Sequence, residues 1–201
     1  VQVRYGLVLA AALVAAAGRP AVSGGETGVP PSPLGKRLPP VVGHALDGTE
    51  VRLPEDLAGG PAVLLVAYRR QTQRDVDRWR DLVERELPAL RWLEVPTIAN
   101  PVWRPLAGWI DGGMRGGVPR ELWGKVVTLY RDAPELRAFL GDRGGYTTHV
   151  VLVDAAGVVA WFDAGGFTED GAGGLLRAAT ALGAGIGAER SAVDPRPPGS
   201  G

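Results

Sequence analysis

Between residues 41 and 182 the apolar positions follow two rhythms, and each change of rhythm marks an element. Val41 to Leu53 reads as a hairpin, because Asp47-Gly48 is a turn pair and Val51 and Leu53 alternate with polar residues after it. Ala62 to Tyr68, AVLLVAY, is an unbroken apolar run of strand length, as expected of a central strand covered on both faces. From Gln73 to Leu87 the period becomes helical: Val76, Trp79, Val83 and Leu87 share one face, and Pro88 ends the run. Thr72 stands at the N-cap position with Asp75 three residues on, the pattern of a capping box. Arg91 to Ile98 gives a second strand, interrupted by Pro96.

The second half continues the alternation. Residues 102–112 predict a short helix with Trp103, Leu106, Ala107 and Ile110 on one face, ended by Gly112-Gly113. Val126 to Tyr130 is a short strand, and Asp132 with Glu135 caps a helix that carries Leu136, Phe139 and Leu140. Thr148 to Asp154 and Val158 to Phe162 form two strands joined by Ala155-Ala156-Gly157. Thr168 caps the last helix, with Glu169 and Asp170 favourably placed in its first turn. Parallel strands joined by helices come first and a hairpin comes last. That order predicts an α/β fold, a central mixed sheet flanked by helices, with the 102–123 helix-loop segment as an insertion.

The ends differ from this pattern. Residues 1–23 have Arg4, the apolar run Leu7 to Ala17 and then small residues, the order of a secretory signal peptide or an uncleaved anchor. The run is shorter than the roughly 20 residues of a comfortable membrane span. Residues 24–37 are rich in Gly, Pro and Ser and read as a flexible linker, and residues 184–201 read as a disordered tail. One domain over 38–183 remains. The expected location is extracytoplasmic: secreted, periplasmic or membrane-tethered.

Composition narrows the chemistry. Lys+Arg 22 balance Asp+Glu 22, so nothing global steers the chain to nucleic acid. With no cysteine there is no thiolate nucleophile, disulfide, cysteine zinc site or iron–sulfur ligation. His44 and His149, the two histidines, lack ligand spacing, so no metal site is expected. No glycine pattern carries a phosphate-binding loop, so no cofactor is expected. Arg69, Arg70, Arg74 and Arg78 gather at the start of the first long helix, but Asp75, Asp77 and Asp81 offset them as on an ordinary solvated face. Six tryptophans are many for this length, and Trp103, Trp109 and Trp123 fall in the inserted segment with Met114 and Arg104, Arg115 and Arg120. Trp, Met and Arg are the side chains that anchor interfaces, so this segment is the expected contact surface.

The element order, carried by Ala62 to Trp79, Thr147 to Asp154 and Val158 to Gly166, resembles the thioredoxin-like superfamily. That resemblance implies a C-x-x-C where this chain reads RRQTQRD, which puts Thr72 and Asp75 at the cysteine positions. It also implies a cis-proline where Thr148 stands. Both hallmarks of the redox site are missing. VVTLYRDAPELRAFLG and HVVLVDAAGVVAWFDAGG are more narrowly similar to the mitochondrial family of assembly factors for the membrane sector of ATP synthase and its bacterial relatives, which are thioredoxin-like and often lack the cysteines. The resemblance implies a non-catalytic binding or assembly protein with a protein partner, which can be membrane-associated. The alternative is a peroxiredoxin- or reductase-type enzyme using non-cysteine chemistry near Thr72, Thr148 and His149. In it Thr72, His149 and Asp75 would combine as hydroxyl, base and carboxylate. A threonine hydroxyl needs a closely placed base to act as a nucleophile, and capping competes for both Thr72 and Asp75.

Overall fold

A computed structural model describes residues 32–98, 107–142 and 144–184. Among these residues seven strands and four α-helices follow in chain order: β1 (Val41–Ala45), β2 (Glu50–Leu53), β3 (Ala62–Ala67), α1 (Gln73–Glu86), β4 (Arg91–Pro96), α2 (Ala107–Arg115), β5 (Val127–Thr128), α3 (Ala133–Phe139), β6 (His149–Val153), β7 (Val159–Asp163) and α4 (Glu169–Ala181). The strands order themselves as β2-β1-β5 and β4-β3-β6-β7. β3 and β4 are parallel, joined by α1, while β6 and β7 form the closing antiparallel hairpin. Parallel bridges Glu94–Val126 and Thr97–Leu129 connect the two sheets through β4 and β5.

The run AVLLVA is central because every one of its side chains is buried. Alternation along β3 and β6 sends those side chains to two cores. Ala62, Leu64, Val66, Val151 and Val153 face Leu136 of α3 and Val41, Val51 and Leu53 of the hairpin. Val63, Leu65, Val150 and Leu152 face Val76, Trp79 and Val83 of α1 and Leu175 of α4. The mixed sheet with helices on both faces is the architecture the sequence predicts.

Several local expectations change. Thr72 does not cap α1: Arg70–Thr72 form a 3-10 turn that runs straight into the helix, so Thr72 has helical backbone angles, φ −83° and ψ −3°. Its hydroxyl instead donates to the Arg69 carbonyl at 2.7 Å. Asp132 does not cap α3 either, because its Oδ2 is taken by the Val42 N–H at 2.8 Å, tying α3 to β1. Thr168 does cap α4, accepting from the Gly171 N–H at 3.0 Å. The helix expected at 102–112 is Ala107–Arg115, continuing past Gly112-Gly113, and residues 99–106 lie outside the described ones. Pro96 ends β4 rather than breaking it, since its carbonyl still accepts from the Leu129 N–H across to the β5 side.

Candidate functional site

The position that would hold the redox motif is closed. Thr72 is 2% exposed and Thr148 is fully buried. They meet as the fold resemblance implies, the Thr148 hydroxyl donating to the Thr72 carbonyl at 3.2 Å. Asp75, one turn into α1, is half-buried, and Gly166 approaches its carboxylate so closely that a Cβ there would lie 2.9 Å from Oδ2. No groove separates the two threonines, and their hydroxyls are engaged with backbone carbonyls.

The next residue in β6 turns to the other face of the sheet. His149 follows the alternation of Val151 and Val153 toward α3, away from Thr72 and Asp75. The combination of Thr72, His149 and Asp75 therefore does not form. Three other side chains surround the imidazole. Tyr68, at the end of the β3 run, places its hydroxyl 3.1 Å from His149 Nδ1. Phe162 of β7 meets the imidazole edge to face at 5.5 Å between ring centroids. Asp142, in the loop after α3, sits with Oδ1 3.9 Å from Nε2.

Asp142 organises this loop. Its Oδ2 accepts from Arg137 Nε at 2.9 Å and Nη2 at 2.5 Å, and its Oδ1 accepts from the Gly145 N–H at 2.8 Å. Gly145 is buried at φ +66°, in the left-handed region that favours glycine, and a Cβ there would press on Tyr68 Cβ at 2.9 Å. Arg137 closes the circle by lying over the Tyr68 ring at 5.1 Å.

These residues border a cleft of about 330 Å³ lined by Asp142, Thr147 and His149 and by the apolar Pro33, Leu140 and Phe162. Tyr146 stands at its rim, 73% exposed, with the Arg69 guanidinium 4.4 Å above its ring. Burial pulls the His149 pKa below its ordinary value; Asp142 and Asp163 pull it up and Arg137 pulls it down, and burial wins. Burial and the Asp142 carboxylate hold the Tyr68 phenol well above its ordinary value, against Arg137. At neutral pH the site thus holds a neutral imidazole, a protonated phenol and an ion pair.

A second buried group lies on the α1 face. Glu94 of β4 is 4% exposed and accepts from Gln73 Nε2 at 3.3 Å. Burial raises its pKa; Arg80 and the Gln73 bond lower it and Asp77 raises it. The space beside it, about 10 Å³, has room for one water at most, so it is no ligand pocket.

The inserted segment is only partly described. Trp103 and Arg104 lie outside the described residues, and Trp109 falls in α2 without a described side chain. Met114 is fully buried against Leu46 and Val126, so it offers no exposed apolar side chain, contrary to expectation. Trp123 is half-buried and donates its indole N–H to the Val118 carbonyl at 2.9 Å. Arg115 and Arg120 each lie 5.7 Å from its ring, and Arg115 Nε donates to the Leu46 carbonyl. His44 is exposed on β1. Among the described residues no group of three or more His, Asp and Glu side chains is placed to hold a metal ion. Among them, too, no helix is long and apolar enough to cross a membrane.

Neither a protein-family model nor a curated protein matches the chain. Solved structures do. A candidate electron transfer protein from Aquifex aeolicus VF5 is similar at a TM-score of 0.56 and 18% identity, over 75% of this chain and 99% of that one. A candidate thiol:disulfide interchange protein DsbE from Chlorobium tepidum is similar at 0.51 and 16%, over 74% and 96%. ScoI of Arabidopsis thaliana, with copper bound, is similar at 0.50 and 12%, over 71% and 98%. At these identities the likeness is one of fold. The chain has the thioredoxin-like fold, without a cysteine to perform thiol chemistry at the position the fold reserves for it.

Proposed function

We propose that this protein is a non-catalytic, extracytoplasmic or membrane-tethered binding or assembly protein that engages a polypeptide partner at the His149 cleft. The carrying observation is a relocation of polarity. The redox position is sealed by the Thr148–Thr72 hydrogen bond, while an imidazole and a carboxylate line an open cleft on the opposite face. The leader-like order of residues 1–23 supports the location. The similarity of Val126–Gly141 and His149–Gly166 to the ATP synthase assembly-factor family supports an assembly role, and those segments contain Arg137, His149 and Phe162. Exposed Tyr146 beside Arg69 supplies the kind of rim that anchors partners.

Co-purification from the source organism tests the reading. The tagged full chain is compared with Tyr146→Ala at the cleft rim and Gln71→Ala at the exposed surface beside Thr72. A defined polypeptide retained by the wild type and Gln71→Ala but lost from Tyr146→Ala supports it. Equal retention by all three, or loss only from Gln71→Ala, rules it out.

A further inference from the structure

The chemistry on the cleft wall specifies what enters it. His149 is 4% exposed and borders the cleft. Its Nδ1 is engaged by the Tyr68 hydroxyl at 3.1 Å. In the tautomer in which the phenol O–H donates to Nδ1, the imidazole proton resides on Nε2. The contact of Nε2 is with Asp142 Oδ1 at 3.9 Å, beyond hydrogen-bond range. A nearly buried donor and an anionic acceptor therefore stand side by side at the cleft, each with capacity left. Among the described contacts Oδ1 has one hydrogen bond, from the Gly145 N–H, and a carboxylate oxygen accepts two.

Charge restricts the ligand further. Asp142 is paired with Arg137, which offsets its charge. An incoming carboxylate would accept from Nε2 but press its charge against Oδ1. An incoming ammonium would satisfy Oδ1 but face the Nε2 proton with no acceptor to offer it. A group that accepts and donates from adjacent atoms, without net charge, satisfies both. Leu140, Phe162 and Pro33 then receive the apolar stem that carries it.

We infer that the cleft binds a primary carboxamide, its oxygen accepting from His149 Nε2 and its syn N–H donating to Asp142 Oδ1, as an Asn or Gln side chain of the partner would present. This rests on the cleft being the partner site, and it names the side chain read there. A backbone amide, whose N–H and C=O point apart, cannot make both bonds from one group.

The test uses the isolated full chain and four probes of one size: butyramide, butyrate, butylammonium and 1-butanol. Binding is followed by NMR through the His149 ring Nε2–H and the Gly145 N–H. The expected result is saturable movement of both signals with butyramide, and binding of the three other probes weaker by roughly tenfold or more, because each charged probe matches only one of the two partners and the alcohol offers a single atom to both. His149→Phe removes the donor and abolishes butyramide binding. Should that variant fail to fold, the ranking of the four probes on wild type decides alone. No saturable binding of butyramide, or butyrate or butanol binding as well, overturns the inference. Its failure is separable from that of the binding reading: retention that depends on Tyr146 together with no preference for butyramide would mean a partner cleft that reads some other group.

Discussion

Replacing Asp142 by alanine removes three hydrogen bonds of the cleft loop at once. Arg137 loses an acceptor at 2.9 Å from Nε and at 2.5 Å from Nη2, and the Gly145 N–H loses one at 2.8 Å. Hydrogen bonds to a charged group contribute about 1.5–3 kcal/mol. The Arg137 side chain is 30% exposed, so water replaces part of its loss and the ion pair's share falls to about 1–2 kcal/mol. Gly145 is buried, and an unsatisfied N–H there costs about 1–3 kcal/mol. Asp142→Ala should therefore unfold about 2–5 kcal/mol more easily than wild type. Urea denaturation reads this as a lower midpoint with an unchanged slope. A cycle with Arg137→Ala isolates the pair, with an expected coupling of about 1–2 kcal/mol. A coupling under about 0.5 kcal/mol, the scale of independent sites, would refute the view that this ion pair holds the loop.

Other perturbations probe other parts of the account. The raised pKa of Glu94 means its neutral form is favoured on folding, so its contribution is complete below its ordinary value of 4.5 and is lost as pH rises through the folded value. Glu94→Gln should thus raise the melting temperature at pH 7 while leaving it nearly unchanged near pH 4, and thermal denaturation at both would show it; no pH dependence of the difference would contradict the burial argument. The lowered pKa of His149 works in the opposite direction: its contribution is complete above 6.5 and is lost as pH falls below it, so His149→Phe should flatten the acid limb of a stability–pH curve. Thr168→Ala should cost about 1 kcal/mol through the lost cap. Gly157→Ala should cost about 1–2 kcal/mol or more, measured by urea, because φ is +77° and a Cβ would meet Pro54 Cβ at 2.5 Å.

The sequence carried the strands and the cores well, for a physical reason. A run such as AVLLVAY has few ways to hide its side chains other than as a sheet's central strand, and Asp47-Gly48 favours a tight turn between β1 and β2. Caps were less legible. Thr72-x-x-Asp75 and Asp132-x-x-Glu135 look like Thr168 does locally, but a preceding 3-10 turn and a tertiary bond to Val42 decide them, and neither is local information. The cleft residues were read least well because Tyr68 and His149 meet across 81 positions. One signal was available: HVVLV sets a single polar residue at the head of an otherwise apolar strand, and a buried polar side chain needs a partner. Met114 misled because its position beside glycines in a tryptophan-bearing segment suggested exposure, whereas near the end of α2 it packs against Leu46 and Val126.

Site-specific photo-crosslinking in the source organism tests the central claim most directly. A photoreactive residue replaces Tyr146 at the cleft rim in one chain and Gln71 beside the sealed redox position in another. The account predicts one discrete polypeptide adduct from position 146, abolished by butyramide, and none of comparable yield from position 71. An adduct from position 71 with none from 146 would place the partner at the sealed Thr72 surface and contradict the account.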